Sequence, residues 1–151
     1  MPAAETANLC RTRGPIRGRG EAAMKPESEK LVTGLLDAWA RLDFDAAIAL
    51  VTDSFVYQPD PAAELVKSRD AVLALWRSYL KFMKSYEYKP LFVLSSDNVV
   101  MMERTEWIGT KRGRTELPIM GIFEVSGGKL SAWRDYWDPR MAMPPASTAQ
   151  S

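Results

Sequence analysis

Residues 86–137 read YEYKPLFVLSSDNVVMMERTEWIGTKRGRTELPIMGIFEVSGGKLSAWRDYW, and apolar side chains recur in this stretch with a period of two. Alternation of that kind places successive side chains on opposite faces of a half-covered strand. Four such runs are present: Tyr86 to Leu94, Asn98 to Thr110, Arg114 to Val125 and Lys129 to Trp137. Their connections are short and rich in turn residues: Ser95-Ser96-Asp97, Lys111-Arg112-Gly113 and Ser126-Gly127-Gly128. Linkers of this length join antiparallel neighbours, so the four runs predict a meander of hairpins.

Upstream of residue 86 the period changes. Leu31, Leu35, Leu36, Ala38 and Trp39 follow helical spacing after Ser28 and Glu29, predicting a first helix that reaches about Leu42. Phe44, Ala46, Ala47, Ile48, Leu50 and Val51 form a second, short helix, capped by Asp43 or Asp45. Ser54 to Gln58 reads as a strand that Pro59 and Pro61 end. Arg69 and Asp70 open a third helix with Val72, Leu73, Leu75, Trp76, Tyr79, Leu80 and Met83 as its apolar stripe. The expected class is therefore α+β, three N-terminal helices packed on the concave face of a curved, mostly antiparallel sheet. Residues 1–25, rich in Ala, Gly and Arg without an apolar period, are expected to be a disordered tail. Residues 26–140 read as one domain and 141–151 as a flexible end.

Composition removes several kinds of chemistry. Histidine is absent, which excludes Ser-His and Cys-His dyads and the usual zinc sets, so acid–base work must fall to carboxylates, tyrosines or lysines. The one cysteine, Cys10, cannot form an intramolecular disulfide and fits a reducing compartment; the expected location is the cytoplasm. A formal net charge of +1 gives the body no general attraction for nucleic acid, and no apolar run approaches membrane-spanning length. Neither nucleic acid nor membrane is an expected partner. The interleaved Lys81, Lys84, Lys89 and Tyr79, Phe82, Tyr86, Tyr88 read as a solvated helix end entering a strand.

Strand alternation sets Met102, Arg104, Glu106 and Ile108 on one face, and Trp133, Asp135 and Trp137 on another strand's covered face. Two tryptophans beside a carboxylate mark a covered side. A buried guanidinium can pair two carboxylates through its planar donors, and such a set separates the behaviour of the two acids into one base and one acid. Interior ion-pair networks also serve purely structural ends, and from these residues alone both readings stay open.

At these positions the chain resembles the limonene epoxide hydrolase family. The resemblance rests on Glu103-Arg104-Thr105-Glu106, on Gly121-Ile122-Phe123, and on Gly128-Lys129-Leu130-Ser131-Ala132-Trp133-Arg134-Asp135-Tyr136-Trp137-Asp138. Weaker likeness, including Arg69-Asp70-Ala71-Val72, extends over about Glu29 to Arg140. The resemblance implies a cone-shaped fold shared with ketosteroid isomerase and SnoaL-like cyclases, and one-step hydrolysis of an epoxide without metal, cofactor or covalent intermediate. Carried over, Asp135 is the general base, Glu106 the general acid, Arg104 the bridge between them and Tyr57 a holder of the nucleophilic water. Trp133, Leu117, Ile119 and Met102, with Leu36, Trp39 and Trp76, are expected to shape a pocket for a small apolar, terpene-like or aryl epoxide. A homodimer built on the sheet's exposed face is implied too, with Arg134 and Asp138 facing outward and pairing there.

Two departures stand out. Glu106 occupies a place where the family usually has aspartate, and Pro59 falls near the family's water-holding asparagine. Alternation points Gln58 and Asp60 away from the face that carries Tyr57, so neither is expected to replace that asparagine. Two other functions therefore stay open: an epoxide-opening or polyketide cyclase, and a non-catalytic small-ligand-binding dimerisation module.

Overall fold

The computed structural model describes residues 25–142; the expected N-terminal tail but for Lys25, with Cys10, and the last nine residues lie outside them. Ten elements follow in order: α1 (Glu27–Ala40), α2 (Phe44–Ile48), β1 (Val51–Gln58), β2 (Val66–Lys67), α3 (Arg69–Tyr79), β3 (Ser85–Ser95), β4 (Val99–Thr110), β5 (Gly113–Ser126), β6 (Lys129–Tyr136) and a 3-10 turn, η1 (Pro139–Ala142). The strands form one sheet in the order β2-β1-β6-β5-β4-β3. β3 to β6 are the expected antiparallel meander, and β1 joins it parallel to β6, with Tyr57 beside Trp133.

Several element boundaries differ from the sequence expectation for local reasons. Ser28 does not cap α1. It lies inside the helix, buried, and its hydroxyl donates to the Ser96 carbonyl at 2.6 Å, tying the helix to the β3–β4 turn. The helix ends at Ala40, and Leu42 takes the left-handed region at φ 55° to turn the chain into α2. Of the two candidate caps for α2, Asp43 accepts from the Ala46 amide at 3.0 Å. Ser68 caps α3. Leu80 falls past the end of α3 and is exposed, whereas Met83, beyond it, folds back into the interior. β1 begins three residues before the expected start because Val51 pairs with Leu130 of β6. β2, two residues long, is too short to leave a period. Among the described residues no helix is long and apolar enough to cross a membrane.

The helices cover one face of the sheet. Val32, Leu35, Leu36 and Trp39 of α1, Phe44 and Ile48 of α2, and Val72 and Trp76 of α3 are all buried against Val100, Met102, Phe123, Leu130 and Trp133 of the strands. Trp39 stands at the centre, edge-on to Trp76 at 5.4 Å and to Trp133 at 5.2 Å between ring centroids. Edge-to-face pairs of this kind add about 0.5–1.5 kcal/mol each beyond the area they bury. This aromatic packing is the floor beneath the buried polar groups of the sheet.

Candidate active site

The burial pattern of β4 alternates strictly from Val100 to Glu106, so Arg104 and Glu106 point inward with Val100 and Met102. On β6 an irregularity in pairing between Glu124 and Val125 of β5 shifts the alternation, and Trp133 and Asp135 both face the interior. Arg104, Glu106 and Asp135 are the three buried charged residues of the described chain, with Arg104 wholly inaccessible.

Arg104 bridges the two acids. Its Nε donates to Glu106 Oε1 at 2.8 Å, and its Nη2 lies 2.7 Å from that same oxygen and 2.7 Å from Asp135 Oδ2. Trp133 Nε1 donates to Asp135 Oδ1 at 2.8 Å, and the Tyr86 hydroxyl donates to Glu106 Oε1 at 2.5 Å. Glu106 Oε1 thus receives three donor contacts, while Oε2 has no donor from the described protein groups. The guanidinium carbon lies 5.8 Å from the ring centres of both Phe123 and Trp133, so aromatic faces complete the cation's surroundings.

Between β4 and β6 runs β5, so Arg104 and Asp135 belong to strands two places apart. At strand spacings of about 4.8 Å they meet only because β5 offers no side chain between them. The residue there is Gly121, paired with Asp135 on one side and Met102 on the other. A Cβ at Gly121 would collide with Arg104 Nη1 and stand 2.8 Å from Asp135 Oδ1. Gly121→Ala is accordingly expected to destabilise the fold by about 1–3 kcal/mol, in the range of other overpacked interiors, and to lower activity more than stability. Thermal melting beside kcat/KM checks this; a variant as active as wild type would show that the Arg104–Asp135 contact is not needed.

Burial pushes the Asp135 carboxyl up to about 6, with Glu106 also raising it and Arg104 pulling against both. Burial draws the Arg104 guanidinium down, but the two carboxylates outweigh it and hold it well above its ordinary value, so it stays charged. Tyr57 is raised well above the usual phenol range, first by burial and then by Tyr79, Asp135 and Glu106, and it keeps its proton.

These groups open onto a cavity of about 400 Å³, within the size range of small-molecule sites. Trp39, Tyr57, Tyr86, Glu106, Leu117, Ile119, Trp133, Asp135 and Trp137 line it. Tyr57, Trp39, Trp133, Leu117 and Ile119 therefore reach the wall as expected. Leu36, Trp76 and Met102 do not: they are buried in the core beneath it, because facing the covered side of an element does not fix how near the cavity a residue falls. Arg104 sits behind the two carboxyls and does not border the cavity.

Asp60, expected to point away, borders the cavity, because β1 ends at Gln58 and strand alternation stops with it. Its Oδ1 already accepts from the amides of Ala62 and Ala63. Gln58 does turn aside, donating to the Ala63 carbonyl at 3.0 Å. Pro59 lines the cavity, and its carbonyl accepts from Trp137 Nε1 at 2.7 Å. Arg134 and Asp138 pair within the chain, Arg134 with Glu124 and Asp138 with Arg140. Two roles were not anticipated: those of Tyr86 and of Gly121. Gly121 carried a usable signal, since glycine inside a strand marks close approach of other groups.

Residues 26–143 match the family model described as the limonene-1,2-epoxide hydrolase catalytic domain. Among characterised proteins the chain is similar to epoxide hydrolase EphG of Mycobacterium tuberculosis (strain ATCC 25618 / H37Rv), 28% identical over 107 residues, which cover 71% of this chain and 70% of that protein. Among solved structures it is similar to an M. tuberculosis LEH-like epoxide hydrolase, with a TM-score of 0.68 and 26% identity over 76% of this chain and 84% of that one. It also shares its fold with SalBIII, an epoxide hydrolase/cyclase-like enzyme of pyran ring formation in the polyether salinomycin, at a TM-score of 0.67 and 14% identity over 74% and 91% of the two chains.

Proposed function

The chain belongs to the limonene-1,2-epoxide hydrolase family, and we propose that it adds water to a small apolar epoxide in one step to give a vicinal diol. The observation that carries this reading is one cation holding two carboxyls, both of which also face an apolar cavity. Asp135, ionised, removes a proton from a water held against Tyr57, and the water oxygen attacks an epoxide carbon. Glu106 gives a proton from Oε2 to the departing epoxide oxygen as the ring C–O bond breaks. The crowding of donors on Oε1 supports that choice of oxygen, because Oε1 is tied to Arg104 and Tyr86. Transfer of the acquired proton from Asp135 back to Glu106 restores the starting state. No covalent intermediate forms and no metal or cofactor is called for.

The test is turnover of limonene, cyclohexene and styrene oxides in heavy-oxygen water. One labelled oxygen in each diol is the expected result, and no diol from any of them would remove the hydrolase reading.

The base also sets the pH profile. Because the carboxyl of Asp135 lies near 6 and must be ionised, kcat/KM is expected to fall as pH drops through about 6 and to level off above it. Stability is expected to move the other way. A carboxyl raised on folding favours the folded state while it is protonated, so this contribution is present below about pH 4 and lost as pH rises through 6. Rate profiles and melting curves over the same buffers check both signs; a rate that climbs as pH falls from 6 would exclude Asp135 as the base.

One observation supports a second reading. Pro59 brings no hydrogen-bonding side chain to the water site, and its carbonyl is taken by Trp137. A water held by fewer groups is more easily replaced by a hydroxyl of the substrate itself, which would make the reaction an intramolecular epoxide opening. Cyclised product without label from solvent would select this reading.

We also propose a homodimer through the outer face of the sheet, where Phe92, Leu94 and Met101 are exposed. Sedimentation equilibrium is expected to return twice the 16.9 kDa chain mass.

A further inference from the structure

A second opening adjoins the catalytic cavity. It is a cleft of about 820 Å³ between the α3–β3 connection, the β4–β5 turn and η1, and it shares Phe82, Thr110, Thr115 and Ala142 with the cavity wall. Its polarity is one-sided. Lys81, Lys111, Arg112 and Arg114 line it, against a single acid, Glu116. Glu116 accepts from Trp107 Nε1 at 2.8 Å, and Arg114 pairs with Glu87 at 3.0 Å while lying over the Trp107 ring. Lys81, Lys111 and Arg112 are exposed and have no carboxylate partner among the described residues. Such a gathering is not a property of the whole chain, whose net charge is +1. Cations gathered around a cleft focus potential there and raise the local concentration of an anion.

Resting on the hydrolase reading for the reacting end, we propose that the substrate is an amphiphile: an epoxide on an apolar body that carries an anionic group, such as a carboxylate, at its far end. The epoxide meets Asp135 and Glu106, the body lies along Phe82 and Ile108, and the anion stops at Lys81, Lys111 and Arg112. Glu116 keeps its charge, since its Trp107 partner is neutral, but it is one acid against four cations lining the cleft, and Asp60 lies on the cavity side.

Binding and turnover test this separately. Affinity of the full chain for 5-phenylpentanoate and for its neutral primary amide would be measured by calorimetry at low and high salt, with wild type and with Lys111→Gln/Arg112→Gln. The carboxylate is expected to bind about tenfold tighter at low salt, a preference that high salt and the double variant both erase. Equal affinities, or a preference that survives the double substitution, would overturn the proposal. The second arm compares styrene oxide with its ring-carboxylate analogue. Faster turnover of the charged epoxide supports the proposal, and equal diol formation from both overturns it while leaving the hydrolase intact. Diol from neither, with the carboxylate preference in binding retained, removes the hydrolase and leaves the anion-binding cleft standing.

Discussion

Asp135→Asn is expected to lower kcat/KM for an epoxide by about a thousandfold, the middle of the range for loss of a positioned general base. The substitution keeps the shape of the side chain and removes the lone-pair basicity that takes the proton of water. It also has a structural consequence. Asp135 receives one donor on each oxygen, Arg104 Nη2 on Oδ2 and Trp133 Nε1 on Oδ1. An asparagine has one acceptor oxygen, so one of those buried donors loses its partner at a cost of about 1–3 kcal/mol. The variant should fold with a lowered melting temperature and bind ligand while failing to turn it over. The inflection of the rate near pH 6 should vanish with the activity. A variant that keeps a third or more of the wild-type rate would remove Asp135 from the reaction, whatever its melting temperature.

The largest effect on stability is expected from Arg104→Met. The guanidinium is wholly buried and, among the described residues, is the sole cation paired with two carboxyls that are themselves about 95% buried. Breaking a buried ion pair by removal of one partner costs about 3–5 kcal/mol, because the remaining charges stay desolvated and unpaired. For a domain of this size that corresponds to a fall in melting temperature of roughly 10–20 °C near pH 7. The sign of its pH dependence follows from the same charges. Without Arg104, which pulls the Asp135 carboxyl down, that carboxyl holds its proton more tightly, so acidification neutralises it and shrinks the deficit. Melting curves of wild type and variant at pH 5 and pH 7 would read this. A deficit below 1 kcal/mol, or one that does not change with pH, would mean that the two carboxyls are solvated and the buried triad is wrong. Activity is expected to disappear with the bridge, since neither carboxyl is then held against the cavity.

How far these residues were legible beforehand depends on what a period can encode. Alternation specifies a face: it put Arg104 and Glu106 together on one face of their strand, and Trp133 and Asp135 on a side that the tryptophans mark as covered, while the structure shows all four buried. Turn residues between the runs settled the order β3 to β6, since short links can join only antiparallel neighbours. The helices were legible as elements but not at their ends: Ser28, by type a capping residue, instead hydrogen-bonds Ser96 across the fold, and Asp60 escapes the alternation of a strand that has already stopped.

The sequence by itself determined the α+β class, the meander and which side chains of each strand share a face, because local periodicity and turn chemistry act over a few residues. Only the tertiary structure decided which of those groups touch. Arg104 reaches Asp135 across β5 because Gly121 leaves the space, Tyr86 reaches Glu106 because β3 lies beside β4, and Tyr57 enters the site because β1 pairs in parallel with β6. It also decided depth, leaving Leu36, Trp76 and Met102 in the core while Trp39 and Trp133 border the cavity. Contacts of this kind join residues 20 to 80 positions apart, and their geometry comes from strand order and packing, which no local period carries.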